Sequence, residues 1–182
     1  MRADARRNHT RLLTAAASAF AEHGENASLD DIAKRAGVGS GTLYRHFPTR
    51  RALLEAAYAA RIEALGERGE ELSRTLPPGD ALTAWLHEVC VATIQVRGLR
   101  TLLGTAATDA PLTTCGTVVK STATALLTAA QSEGTLRPDL TPTDLLRLTQ
   151  GVATAAELGS GEAGEIERYL GWLLNGIRVS GA

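Results

Sequence analysis

Aromatic residues are scarce in this chain. Phe, Trp and Tyr make up 4% of its 182 residues, while 44% of the chain is hydrophobic. A core must then be built mostly from Leu and Ala, which suits packed helices better than sheets, where aromatic and β-branched residues lead. Long apolar runs are missing too. The longest stretch without a charged residue is Ser121 to Ser132, well short of the roughly 20 apolar residues of a membrane helix. The basic start, Met1 to Arg7, leads into an amphipathic pattern and not into an apolar signal region. Cysteine occurs only at Cys90 and Cys115. Two cysteines cannot make a disulfide framework, and they read as reduced thiols of a cytoplasmic protein. The sequons Asn8-His9-Thr10 and Asn26-Ala27-Ser28 are then chance matches.

Net charge is nearly absent as well. With 19 basic and 20 acidic residues the formal total is -1, which by itself argues against a nucleic-acid partner. The distribution says otherwise. Residues 1–54 hold nine basic residues against five acidic ones, four positive in excess; the remainder holds ten against fifteen, five negative in excess. A basic head on an acidic body is the pattern of a nucleic-acid-binding segment, although an excess of this size also occurs as ordinary surface variation.

The apolar spacing reads as helix throughout. Leu12, Leu13, Ala16, Ala17 and Phe20 form one face, and Gly24 closes that first helix in a left-handed cap. Ser28 caps a second helix, with Asp31 three residues on. A short third helix covers Ser40 to Phe47 and stops before Pro48. Thr49 caps a fourth that reaches about Ser73. Pro77-Pro78-Gly79 is the next break, and Asp80 opens a fifth. Gly98 and Gly104 mark turns near a short sixth, residues 111–133 form a seventh, and Thr141-Pro142-Thr143-Asp144 starts an eighth with cap, proline and acid in order. A last helix covers Glu165 to Arg178. No alternating strand pattern and no internal repeat is visible. The expectation is an all-α chain of about nine helices.

Residues 28–51 meet the geometric demands of a helix-turn-helix. Ala33 is small where two helices must cross closely. Gly37, four residues later, can take the positive φ of the turn. Val38, Leu43 and Phe47 can pin the second helix while Ser40, Thr42, Tyr44, Arg45 and His46 face outward. Tyr44 and His46 are phosphate-contacting types, Arg45 can reach guanine edges, and Arg50 opens a helix whose amides can help hold phosphate.

The run Ile32 to Leu54 closely resembles the DNA-binding domain of TetR-family bacterial transcriptional regulators, and the likeness extends over about residues 9–56. Trp172 to Arg178 resembles the last helix of an actinobacterial branch of that family. The resemblance implies a three-helix DNA-binding domain over 1–54 and a helical effector-binding and dimerisation domain over 55–182. It implies that Ser28 touches phosphate, that Ser40, Gly41, Thr42 and Arg45 lie on the groove-facing side, and that Tyr44, His46 and Arg50 grip phosphates. Many relatives carry Ser or Thr where this chain has Gly39, and Lys or Arg where it has Ser40, so base reading rests chiefly on Arg45 and Thr42. Arg2, Arg6, Arg7 and Arg11 then read either as a flexible arm into the minor groove or as a solvated tail that attracts DNA at long range.

Other candidates are weaker. Trp85, Cys90 and Thr93 can line an effector pocket or simply pack the core. His87 and Cys90 share a helix face, but two ligands do not make a zinc site, and no metal or cofactor is expected. Gly37, Gly39 and Gly41 mimic a phosphate loop but follow a helix and lack the Gly-Lys-Ser/Thr that a nucleotide loop needs. No catalytic constellation is present, so an enzyme is not expected. Leu145, Leu148, Val152 and Ala156 make one apolar stripe, and Ile166, Tyr169, Leu170, Leu173 and Leu174 make another. In a monomer these stripes cover the core; in TetR-like proteins the corresponding helices pair two copies. The reading is a homodimeric, TetR-like repressor that binds a pseudo-palindromic double-stranded operator and leaves it when an effector binds. The alternative is a DNA-binding regulator controlled by a protein partner.

Overall fold

The computed structural model describes residues 2–108 and 114–178. Among them the chain forms nine α-helices and no strand: α1 (Arg2–His23), α2 (Leu29–Arg35), α3 (Ser40–His46), α4 (Arg50–Thr75), α5 (Pro78–Gln95), α6 (Arg97–Ala106), α7 (Thr114–Ser132), α8 (Pro142–Leu158) and α9 (Ala163–Ile177). An antiparallel bridge joins Leu136 and Arg178. No described helix is long and apolar enough to cross a membrane. The chain divides into two compact units, residues 1–60 with 96–102 and residues 61–95 with 103–182.

Most boundaries follow from local chemistry. Gly24 takes φ +56° and ends α1, where a side chain would be strained. The Ser28 hydroxyl accepts from the Asp31 N–H at 3.2 Å and starts α2. Thr49 accepts from the Ala52 N–H at 3.1 Å and starts α4. The Thr141 hydroxyl accepts from the Asp144 N–H at 3.1 Å, with Pro142 in the first turn of α8. The fifth helix begins at Pro78, ahead of the expected Asp80, because proline already has helical φ and its missing N–H costs nothing in a first turn. Residues 111–113 of the expected seventh helix lie outside the described residues.

In the first unit, Leu12, Ala16 and Phe20 of α1, Ile32 and Ala33 of α2, Leu43 of α3 and Leu53 of α4 are buried. The Tyr58 hydroxyl donates to the Ala17 carbonyl at 3.1 Å and ties α4 to α1. Gly37 takes φ +66° between α2 and α3. This is where the sequence needs a residue without a Cβ.

In the second unit, α5 packs against α7, α8 and α9. Leu82, Trp85, Leu86 and Val89 of α5 are fully enclosed. Two glycines of α4 permit a close approach. A Cβ at Gly66 would lie 2.8 Å from Val118 Cγ1, and one at Gly69 would overlap the Thr122 methyl and stand 3.2 Å from Trp85 Nε1. The Trp85 indole N–H donates to the Leu65 carbonyl at 2.9 Å, so the largest core side chain has its polar atom satisfied. Arg68 bridges Glu88 of α5 at 2.8 Å and Glu71 of its own helix at 2.6 Å.

Candidate nucleic-acid interface

The face of α3 divides cleanly. Leu43 and the following Phe47 are buried, whereas Ser40, Gly41, Tyr44, Arg45 and His46 are exposed and Thr42 is half-buried. Tyr44 keeps 49% of its surface in solvent, one of the few large hydrophobic side chains so exposed. Seven residues of helix cannot hold themselves, so α3 persists because it packs on α2 with Leu43 buried and because Phe47, at its end, is buried against His9 of α1. The result is a polar, ring-bearing, positively charged surface on a fixed support.

Charges around α3 are not equally available. Arg35 makes a two-pronged pair with Glu22, at 3.1 and 3.0 Å from one guanidinium nitrogen and 3.1 Å from the other. Arg51 pairs with Glu55 at 3.2 Å. Arg45 has no such carboxylate among the described residues, leaving its five donors open to a base edge or a phosphate.

Three of the residues read from the sequence as DNA contacts turn out to have partners inside the protein. Ser28 is exposed, but its oxygen caps α2. The Ser40 hydroxyl donates to Asp30 Oδ1 at 2.7 Å. Arg50, half-buried at the start of α4, donates to the Ala27 carbonyl. Arg50 thus clamps the turn that leads into α2, and only its remaining donors can reach outward.

His9 is a residue that the sequence reading passed over. Its ring lies 5.3 Å from that of Phe47, centroid to centroid, and 5.9 Å edge-on from that of His46. The signal was its place on the face of α1 that carries buried Leu12, three residues on.

The basic N-terminal residues differ from both sequence readings. Arg6, Arg7 and Arg11 sit on α1, which runs unbroken from Arg2. No Gly or Pro interrupts residues 2–11, and the Thr10 hydroxyl donates back to the Arg6 carbonyl at 3.1 Å. They therefore form neither a flexible arm nor a loose tail. Arg11 lies across the turn: a Cβ on Gly37 would overlap its guanidinium.

The effector candidates on α5 are enclosed. Trp85, Cys90 and Thr93 are buried. The Cys90 thiol donates to the Thr149 carbonyl at 3.6 Å, and burial pushes its pKa up to about 12. The Thr93 hydroxyl donates to the Val89 carbonyl at 2.8 Å. On the same helix, His87 Nε2 is buried with no hydrogen-bond partner among the described residues. His87 borders a groove of about 370 Å³ with Arg61, Leu65 and Val91, and another of about 360 Å³ with Asp80, Glu167 and Leu170. Three metal-ligating side chains do not converge anywhere among the described residues.

Apolar surface gathers on the last two helices. Leu148 (41%) and Leu158 (85%) of α8 and Trp172 (64%) of α9 remain exposed. The Trp172 ring lies 5.5 Å from that of Tyr169, tilted by 45°, and the Arg168 guanidinium lies 5.7 Å from the Trp172 ring. Leu145, Val152 and Ala156, and Ile166, Leu170 and Leu174, point into the core. The two stripes read from the sequence are thus mostly core-facing, with Leu148 left outside.

Comparison with known proteins agrees over both units. Residues 12–57 match the model of bacterial regulatory proteins of the tetR family. Residues 77–179 match the model of the C-terminal domain of SbtR-like transcriptional regulators. An HTH-type transcriptional regulator of Staphylococcus aureus is 52% identical over 48 residues, which cover 26% of this chain and 26% of that one; the chain thus spans about a quarter of the curated relatives it matches. A TetR transcriptional regulator from Streptomyces coelicolor is similar at 34% identity, over 94% of this chain and 99% of that one, with a TM-score of 0.58. A TetR regulatory protein from Mycobacterium vanbaalenii follows at 31% identity, over 98% and 99%, with a TM-score of 0.52.

Proposed function

The chain belongs to the TetR family of DNA-binding bacterial transcriptional regulators, and on that premise we propose that it is a ligand-responsive repressor that grips a pseudo-palindromic operator as a homodimer. Residues 1–54 are the DNA-binding head, and residues 55–182 bind the effector and the second copy. The observation that carries this reading is the outward polar face of α3 over buried Leu43 and Phe47.

In this reading α3 enters the major groove. Arg45 and Thr42 read base edges alongside Ser40 and Gly41, while Tyr44 and His46 hold phosphates. Ser28 and Arg50 flank the helix at the two turns that face the backbone. Arg50 serves twice, because the guanidinium that bonds Ala27 keeps further donors for a phosphate oxygen.

Two copies join through α8 and α9. Support comes from the exposed Leu148, Leu158 and Trp172, which water covers poorly and a second copy would cover well. A two-fold pair of heads enters successive major grooves about 34–36 Å apart.

The effector binds around α5, where His87 borders two grooves and offers a buried nitrogen with no hydrogen-bond partner among the described residues; Trp85, Cys90 and Thr93, now enclosed, join its site where the packing around α5 opens. Release follows if the effector binds the DNA-incompetent arrangement more tightly, and the coupling is reciprocal. Capture of genomic fragments by the purified protein, followed by a screen for small molecules that release them, tests the reading. Fragments that no small molecule releases would favour control by a protein partner.

A further inference from the structure

We infer that Asp30 makes Ser40 a hydrogen-bond acceptor only, so that this pair selects an amino base over a keto base at one position of each half-site. The inference rests on the reading that α3 enters the major groove.

Ser40 is the first residue of α3. The residues on either side are Gly39 and Gly41, and a Cβ built on either meets nothing within 4 Å. Ser40 is therefore an exposed side chain flanked on both sides by residues without one. Asp30 is in the first turn of α2, exposed like Ser40. Their side chains meet at 2.7 Å, Ser40 Oγ to Asp30 Oδ1.

The direction of that bond is fixed by chemistry. A carboxylate only accepts, and a serine hydroxyl has one proton to give. That proton goes to Asp30, in a charge-assisted bond of the stronger kind. What Ser40 then shows to the groove is lone pairs.

In the major groove, adenine and cytosine present amino groups at N6 and N4, whereas guanine and thymine present oxygens at O6 and O4. A serine free to rotate can bond to either kind. Ser40 tied to Asp30 accepts from an amino group and sets oxygen against oxygen at a keto base. The preference on the facing strand is adenine or cytosine over guanine or thymine. No side chain at position 40 alone would reveal this, because the rule lies in the pair.

The test is selection from a randomised half-site library by the wild-type protein, Asp30→Ala and Ser40→Ala, with thermal unfolding run alongside to show that each variant is folded. The wild type is expected to favour A or C over G or T at one position by about three- to ten-fold, the range of one hydrogen bond gained or lost. Asp30→Ala frees the Ser40 proton, so the preference should fall to about one-fold while the remaining positions stay sharp. Ser40→Ala should lose it too. Any gain in overall affinity from removing a negative charge is uniform across sequences and cancels in the ratio. A preference that survives Asp30→Ala unchanged, or that favours keto bases, overturns the role of the pair alone. A wild-type protein that enriches no sequence overturns the DNA reading and the pair with it.

Discussion

The guanidinium of Arg50, at the head of α4, donates to the carbonyl of Ala27, the residue just before the cap of α2. Residues 23 apart in the chain are thereby locked where both turns meet the surface that carries α3. A side chain read from the sequence as a phosphate grip is also a brace. Arg50→Ala should therefore do two things. It should lower stability by about 1.5 to 3 kcal/mol, the usual range for a hydrogen bond from a charged group, and reduce the slope of log affinity against log salt by about 1. Thermal unfolding and a salt titration of operator binding separate the two. A lower melting temperature with an unchanged slope would leave Arg50 a brace alone.

Arg45 and Tyr44 should separate specificity from grip. Arg45→Ala should relax sequence preference at the bases it faces, by about 1 to 3 kcal/mol for a two-pronged contact. Tyr44→Phe should weaken binding to all sequences alike, with stability unchanged because the ring is half in solvent. Competition between operator and unrelated DNA measures both. An Arg45→Ala variant with intact selectivity would contradict its base-reading role.

Gly69 tests the packing of the second unit. In a free helix Gly→Ala gains about 1 kcal/mol. Here the new methyl would run into Thr122 and crowd Trp85. Gly69→Ala should thus lower the melting temperature, and adding Thr122→Ser, which removes the methyl, should recover part of the loss. A Gly69→Ala variant that is stabilised outright would show that the α4–α7 approach yields freely.

Acid should loosen the caps of the last two helices. The Thr141 hydroxyl, then the Thr141 N–H and Arg147, hold the Asp144 carboxyl below its ordinary range. The Ser160 N–H, at 2.7 Å, and then its hydroxyl do the same for Glu165. A carboxyl depressed in the folded state adds stability that is complete near neutral pH and lost as the pH falls through its folded value. Glu165→Gln should therefore melt earlier than wild type at about pH 7, and the gap should narrow as the pH falls below the ordinary carboxylate range. Both groups are exposed and screened, so the difference is small. Parallel curves over that range would remove Glu165 from the acid response.

The helix-turn-helix was legible because its signals are local. Ser28 caps with the residue three ahead, Gly37 declares the turn, and Leu43 and Phe47 declare the buried side of α3. The Thr141-Pro142-Asp144 start of α8 was legible for the same reason. What stayed hidden was set by distant contacts: the Arg50–Ala27 clamp, the Arg11 guanidinium over Gly37, and Trp85 bonded to Leu65 across two glycines. The N-terminal arginines misled because charge says nothing about whether a segment is helical. The absence of Gly and Pro from residues 2–11 was the better guide.

The most direct test of the account is selection of genomic fragments by the purified full chain, read by sequencing and repeated with Arg45→Ala. The account predicts enrichment of a pseudo-palindrome whose half-sites are about 10 base pairs apart, with the pattern blurred in the variant. No enriched pattern at low salt, or the same sharp pattern in the variant, would contradict it.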